Sequence, residues 1–215
     1  KEHLEAKNHH EALEFIFEQV EYDSQHTISE HLIRELQSLV IGSIDKSIAG
    51  VYRDVEVAIT ASTHQPPLAT EVPGKMSDLI KWFRKEQAKL NPIELAAMFH
   101  HKLVNIHPFA DGNGRTARLL MNIVLLQAGY PLVIILKHDR KSYYNTLAQA
   151  DRGNITPFIT FIVRAVERSL DLYLETITHN QSKSQHTQKL AKLAEQFKIT
   201  QKHLNLLART GKIVA

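Results

Sequence analysis

The sequence predicts an all-α fold, a helical bundle interrupted by one short β-hairpin flap, with a small helix-turn-helix or winged-helix-like module at the C-terminus. Three observations carry that expectation. Apolar residues recur at helical spacing along most of the chain, capping signals punctuate those stretches, and strand-like alternation is confined to one segment near residues 51–60.

Ala12, Leu13, Ile16, Phe17 and Val20 make one amphipathic stripe, and Leu32, Ile33, Leu36, Leu39 and Val40 a second. The second stripe follows Thr27-Ile28-Ser29-Glu30, a capping-box pattern in which the Thr27 hydroxyl takes an orphan amide and Glu30 reaches back. Gly42 is placed to stop that helix. Val51, Arg53, Val55 and Val57 then fall on one side of an alternating segment, and the Pro- and Thr-bearing stretch to Pro73 reads as a loop, so a short hairpin is expected here. Helix resumes around Leu79, Ile80 and Phe83.

Asn91-Pro92-Ile93-Glu94 combines an N-cap, a proline at the first helical position and an acid at the third, and the helix it opens should run to about Asn105. Leu119, Leu120, Ile123, Val124 and Leu126 mark the next helix, expected to begin near Thr116 and to end at a glycine C′ position, Gly129, ahead of Pro131. Asp139 and Thr156-Pro157 look like the N-caps of two more. The last, from Pro157 to about Glu175, is apolar on more than one face and should lie in the middle of the bundle.

Residues 176–188 turn polar and read as a linker between a domain over 1–175 and a module over 189–215, whose two short amphipathic segments suit a helix-turn-helix. Charge divides the same way. From Lys183 onward there are seven basic residues and one acidic, a net of +6, against −3 for the remainder. A basic module of that kind could contact DNA phosphates or serve as a protein-contact or dimerisation appendage, so DNA and a homodimer both stay open as partners.

Composition excludes several classes. The 215 residues carry 26 basic and 23 acidic side chains, 43% hydrophobic content and no cysteine. That is ordinary globular composition, with no disulfide framework, thiolate metal site or cysteine nucleophile. No run is long and apolar enough to span a membrane, and residues 1–10 lack a signal-peptide core, so the expectation is a cytoplasmic protein without a membrane partner. The chain starts at Lys1 rather than a methionine, which reads as a fragment or a trimmed chain.

Chemistry concentrates in His107-Pro-Phe-Ala-Asp-Gly-Asn-Gly-Arg-Thr-Ala-Arg118, a glycine-bearing loop that feeds a helix N-terminus. Unpaired amides and the positive end of the helix dipole attract anions there. Gly112 and Gly114 let the backbone take positive φ values and approach a phosphate closely, and Arg115 and Arg118 supply forked cationic donors. Asp111 would repel phosphate unless a cation lay between them, and Mg²⁺, held by one or two carboxylates plus phosphates, is the natural choice. His107 titrates near neutrality and could take a proton from an incoming hydroxyl. His100, His101 and His107 do not read as a metal set, because adjacent helical positions point about 100° apart.

His107, Phe109, Asp111, Gly112, Asn113, Gly114, Arg115 and Arg118 stand as H-x-F-x-[DE]-G-N-G-R-x-x-R, and on that motif the sequence resembles the Fic family. The flanking stretches around residues 63–83 and 140–159 look like the family's flap and the segment after its core. The resemblance implies an all-helical domain that transfers AMP from ATP to a Ser, Thr or Tyr hydroxyl of a target protein, releasing pyrophosphate. By that analogy His107 is the base and Asp111 holds Mg²⁺. Gly112, Asn113 and Gly114 cradle the phosphates, Arg115 neutralises the α/β region, Arg118 holds the γ-phosphate, and Thr116 counts among the nucleotide-binding residues. Phe109 anchors the loop in the core. Tyr143, Leu147 and Asp151 fall where the family places nucleoside contacts, although Asn is usual at the position of Asp151. Of Tyr143 and Tyr144, one should be core and one surface. The flap, Thr60, Ala61, Ser62, Thr63 and His64, should pair with an extended segment of the target. The family's inhibitory motif, [ST]-x-x-x-E-[GN], does not occur in these residues, since no glutamate is followed by Gly or Asn, and the expectation is an upstream helix removed from this chain. Two alternatives remain: phosphate transfer as in the Doc-like branch, disfavoured by Gly114, and a DNA-binding regulator with a nucleotide-sensing lobe, disfavoured by an intact His107.

Overall fold

The computed structural model describes residues 2–22, 28–59, 62 and 64–183. Among them are seven α-helices: α1 (Glu2–Tyr22), α2 (Glu30–Ile41), α3 (Val72–Glu86), α4 (Pro92–Ile106), α5 (Asn113–Gln127), α6 (Arg140–Asp151) and α7 (Thr156–Lys183). The helix-turn-helix expected over 189–215, and residues 184–188 of the expected linker, lie outside the described residues.

The core forms around α4 and α5. The first packs on α3, α5, α6 and α7, and the second carries α1 and α2 on its other side. Phe99 and Leu103 of α4 and Leu119, Leu120, Met121 and Leu125 of α5 are fully enclosed, with Ile16, Ile33, Leu36, Met76 and Phe158 closing over them. Each such side chain contributes about 1.5–3 kcal/mol through its removal from water. The loop joining α4 to α5 is the motif, so the most closely packed helix pair among the described residues holds both of its ends.

Several signals act as expected. Asn91 caps α4 by accepting from the Ile93 amide at 2.9 Å, with Pro92 in the first turn. At the end of α5, Gly129 adopts φ 81. Its amide bonds Leu126 O and that of Tyr130 bonds Leu125 O, both at 2.9 Å, which is the paired arrangement of a Schellman ending.

Others fall elsewhere. The cap of α2 is Ser29, which accepts from the Leu32 amide at 3.2 Å, and not Thr27, which lies outside the described residues. Ile28, just before this cap, is fully buried and fixes the entry of the chain, while Glu30 accepts from the Tyr52 hydroxyl at 3.0 Å and so is not the closing half of a box. Asp139 makes no capping bond and instead accepts from Arg168 at 2.7 Å. Helix α7 runs on to Lys183, so residues 176–183, expected as linker, are helical. Its first half is buried through Phe158, Phe161, Ile162, Ala165 and Val166, but Leu170 and Leu172 are exposed, so it packs along one face and does not run through the middle of the bundle.

No strand is present among the described residues, and where a hairpin is expected residues 51–59 form an irregular segment without a ladder. Its alternation was deceptive: Val51 and Val55 are 50% and 56% exposed, while Arg53 between them is 4% exposed. The reason is polar. A guanidinium supplies donors to carbonyls that have no strand partner, and a valine does not.

A second irregular stretch, 131–136, is docked by one side chain. Buried Asn122 of α5 donates to Val133 O at 3.0 Å and accepts from Val133 N at 2.8 Å, doing for that residue what a neighbouring strand would do. Asn122→Ala leaves both groups unpaired, and urea unfolding should show a loss of about 1–3 kcal/mol; an unchanged midpoint would contradict this role.

Candidate active site

Helix α4 ends on His107, the one non-glycine residue with positive φ among those described (φ 51, ψ 58). A left-handed non-glycine residue costs on the order of 1–3 kcal/mol and persists only where its surroundings impose it. Here the His107 amide bonds Leu103 O at 3.0 Å and its carbonyl accepts from Arg53 Nε at 2.8 Å. Arg53 also donates to Val55 O at 2.9 Å and Pro67 O at 2.6 Å, and its amide bonds Pro108 O at 2.9 Å. One buried guanidinium thus ties Val55 and Pro67, on either side of residues 60–64, to the histidine.

The turn hands the imidazole to a cavity of about 390 Å³. Nδ1 lies 3.2 Å from Val104 O and donates to it, which leaves Nε2 as the acceptor. Burial holds the pKa of His107 below its ordinary value, helped by the charges of Arg53 and His64 and opposed by the Val104 bond and Asp111. The neutral, proton-accepting form therefore dominates at neutral pH.

Beyond it Phe109 is fully buried, its ring 5.5 Å from that of Tyr52, as expected of an anchor. Asn113 closes the loop: its Oδ1 accepts from Phe109 N at 2.9 Å and its Nδ2 donates to Phe109 O at 2.7 Å. The Asn113 side chain is thus committed to the loop's own backbone, and the part of Asn113 that can face an anion is its main chain. Gln37 of α2 braces the loop from behind by donating to Asp111 O at 3.1 Å.

Helix α5 begins at Asn113, three residues before the expected start, and Gly112 is its N-cap with φ 85. A Cβ at Gly112 would sit 3.0 Å from Ile41 Cγ1, so glycine is required there for conformation and for space. Gly114 differs from expectation: it is helical, without positive φ, and a Cβ would meet only Arg118 Nη1 at 3.4 Å. What it supplies is room beside that guanidinium. The leading amides of α5 have no acceptor four residues back, so the loop ends in the anion-attracting terminus read from the sequence.

Asp111 is half exposed, and its contacts with the Gly112 amide and, at 3.3 Å, with Arg115 Nη2 both fall on Oδ1. Asp111 lines the cavity, and a half-exposed carboxylate there suits a Mg²⁺ ion held by one carboxylate and by phosphate oxygens. No cluster of three or more His, Asp or Glu that could hold a metal occurs among the described residues. His100, His101 and His107 go separate ways: to Tyr143, to Asp151 and to the cavity.

Of the remaining expected site residues, Gly112, Asn113, Gly114, Arg115, Arg118, Tyr143, Leu147, Asp151, Ser62 and His64 all line the cavity. Thr116 does not: it is fully buried, and its hydroxyl has no partner. Thr60, Ala61 and Thr63 lie outside the described residues. Tyr143 proves to be the core tyrosine, 4% exposed, with its hydroxyl 3.1 Å from buried His100 Nε2 and Arg118 bonded to the same hydroxyl. Burial pushes its pKa up while Arg118 pulls the other way. The surface tyrosine is Tyr144, 42% exposed, which lines the cavity with Ala148. The sequence reading took in Tyr143, Leu147 and Asp151, which line the cavity, but passed over Tyr144 and Ala148 beside them. It also missed Arg53, whose signal was a charge interrupting an apolar alternation, and Asn105, for which the sequence carried no signal.

Fold and site together define an all-helical domain that presents a neutral histidine beside a helix-terminal anion cradle. The Fic/DOC family model matches residues 27–125. Protein adenylyltransferase Fic of Nematostella vectensis is 43% identical over 178 residues, covering 82% of this chain and 41% of that protein. Protein adenylyltransferase Fic of Aedes aegypti is 46% identical over 143 residues, covering 66% of this chain and 28% of that protein. A Fic domain containing signaling protein from Bacteroides thetaiotaomicron superposes with a TM-score of 0.73 at 32% identity, covering 86% of this chain and 74% of that one. The chain belongs to the Fic/DOC family, and it spans less than half the length of these two curated relatives.

Arg53→Ala would leave the carbonyls of His107, Val55 and Pro67 without their donor. Unfolding measurements should show a loss of about 3 kcal/mol, and Arg53→Lys should not restore it, because an ammonium cannot span the three directions of the fork.

Proposed function

We propose that this domain is a protein adenylyltransferase: it transfers AMP from ATP to a Ser, Thr or Tyr hydroxyl of a target protein and releases pyrophosphate. The observation that carries the reading is the pairing, in one cavity, of a histidine whose Nε2 is left as acceptor with the amide and arginine cradle at the start of α5. The similarity to adenylyltransferases over most of this chain supports it.

In this reading the backbone of residues 112–114 receives the phosphates, with Arg115 on the α/β region and Arg118, braced by Tyr143, on the γ-phosphate. The nucleoside lies along Leu147 and exposed Tyr144. Asp111 would hold Mg²⁺, which supplies charge neutralisation of the phosphates when bound. The flap, residues 60–64, pairs with extended target backbone and brings the hydroxyl to His107. His107 Nε2 takes the hydroxyl proton, the oxygen bonds to the α-phosphorus, and the bond to the pyrophosphate oxygen breaks. Most of the rate comes from positioning and electrostatics, with the base contributing about 10²–10⁴-fold. A cytoplasmic setting belongs to the same reading, whereas a DNA-contacting or dimerising tail falls on residues outside those described.

Incubation with Mg²⁺ and ATP labelled separately at the α- and γ-phosphates tests the reaction. Label from the α position should appear on protein, and His107→Ala should abolish it while binding of a fluorescent ATP analogue stays within a few-fold. Label arriving from the γ position alone would instead support phosphate transfer.

The pH dependence has a definite sign. Protonated imidazole cannot accept a proton, so activity falls on the acid side, and a pKa held below 6.5 keeps the base competent to lower pH than a free histidine. The acid limb of kcat/KM should have its midpoint below 6.5; a midpoint above that value would contradict a buried, neutral His107.

A further inference from the structure

Asp151 stands where the resemblance suggests a nucleoside contact, yet its carboxylate is engaged on both oxygens by the protein. Oδ1 lies 2.9 Å from His101 Nε2 and 3.4 Å from Asn105 Nδ2 of α4. Oδ2 accepts from the Ser62 hydroxyl of the flap at 3.4 Å. Ser62 Oγ in turn accepts from the His64 amide at 3.0 Å, and His64 Nε2 donates to Asn105 O at 2.9 Å. Asp151, Ser62, His64 and Asn105 close a ring of hydrogen bonds, with His101 attached at Asp151, and the ring joins Ser62 and His64 to α6 and to the last turns of α4. Asn105 lies two residues before His107, so the turn that receives the flap is the turn that aims the base.

The chemistry of the pair fits a latch. Asp151 and His101 are both largely buried, and burial holds the His101 pKa down against the pull of the carboxylate; because Nε2 faces an acceptor-only oxygen at 2.9 Å, it is the nitrogen that donates. An ionised carboxylate is acceptor-only, which matches its three partners here, all of them donors. An asparagine at this position would present one acceptor and one donor, and could not accept from Ser62 with its amide nitrogen.

We propose that Asp151 is a positioning residue for the target-docking flap, held by His101 and Asn105 and holding Ser62, so that substituting it impairs use of the protein acceptor more than use of ATP. This rests on the reading of the flap as the acceptor-docking element.

The test uses the full chain and three readouts: amide exchange over residues 56–68, affinity for a fluorescent ATP analogue, and transfer from α-labelled ATP to casein as a hydroxyl-bearing probe. Asp151→Ala should speed exchange in the flap about tenfold. It should raise the KM for casein about fivefold or more while KM for ATP stays within about twofold, since the lost contacts are to the flap. Asp151→Asn, which keeps the acceptor facing His101, should fall between Asp151→Ala and the unsubstituted chain. Ser62→Ala, which leaves α4 and α6 intact, should reproduce the exchange effect even if Asp151→Ala folds poorly. Unchanged flap exchange in Ser62→Ala and Asp151→Ala would overturn the proposal, as would a loss of ATP affinity with the flap undisturbed, which would make Asp151 a nucleotide contact. If the unsubstituted chain labels no casein, that counts against adenylyl transfer, while exchange and nucleotide affinity still decide the latch.

Discussion

A buried guanidinium is tolerable only where each face of its fork meets an acceptor, and Arg53 meets that demand with the carbonyls of His107, Val55 and Pro67 and the half-screened carboxylate of Glu56. The rest of the site depends on this. The left-handed backbone at His107 is unfavourable alone, and the bond from Arg53 to its carbonyl is one of the two that hold it. With that backbone in place the chain leaves α4, turns into the cavity and enters α5 at the angle that presents the helix N-terminus beside the imidazole. The same guanidinium holds Val55 and Pro67, so the base and the chain on either side of residues 60–64 share one anchor.

Amide side chains do the remaining fastening where strands would otherwise serve. Asn113 pairs with both backbone groups of Phe109, Asn122 with both of Val133, and Gln37 bridges α2 to the back of the motif loop. In an all-helical protein the irregular segments have no ladder to satisfy their N–H and C=O groups, and a buried amide offers a donor and an acceptor at the spacing of a peptide. This divides labour within the motif. Its asparagine shapes the loop, Gly112 clears α2, Gly114 leaves space for Arg118, and the main-chain amides with the two arginines face the cavity. Electrostatics follow the same division: helix terminus and arginines make the cavity attractive to phosphates, while burial keeps the base uncharged.

Much of the fold was legible because helical periodicity is a local property. The stripes of α1 to α5, the Asn91-Pro92 start and the Gly129 stop all stand where the residues placed them, as does the motif loop between α4 and α5. The errors share a cause. The cap at Ser29, the early start of α5 and the extension of α7 to Lys183 are each a matter of which polar group finds a partner at a boundary, and that depends on what packs nearby. The expected hairpin is absent because the interior position in that alternation belongs to Arg53, whose donors take up carbonyls that a ladder would otherwise pair.

For the candidate site, the sequence by itself determined the identities and spacing of base, acid, glycines and arginines, because a loop feeding a helix N-terminus is assembled from consecutive residues. It also determined the absence of thiol chemistry, there being no cysteine. Only the tertiary structure decided which tyrosine is core and which is surface, that Thr116 turns into the core, that Asn113 serves the loop, and that Arg53, Asn105, His101 and Asp151 converge from three separate segments. Those are meetings between residues tens of positions apart, set by how α4 packs on α5, α6 and the flap, and no window of sequence contains them.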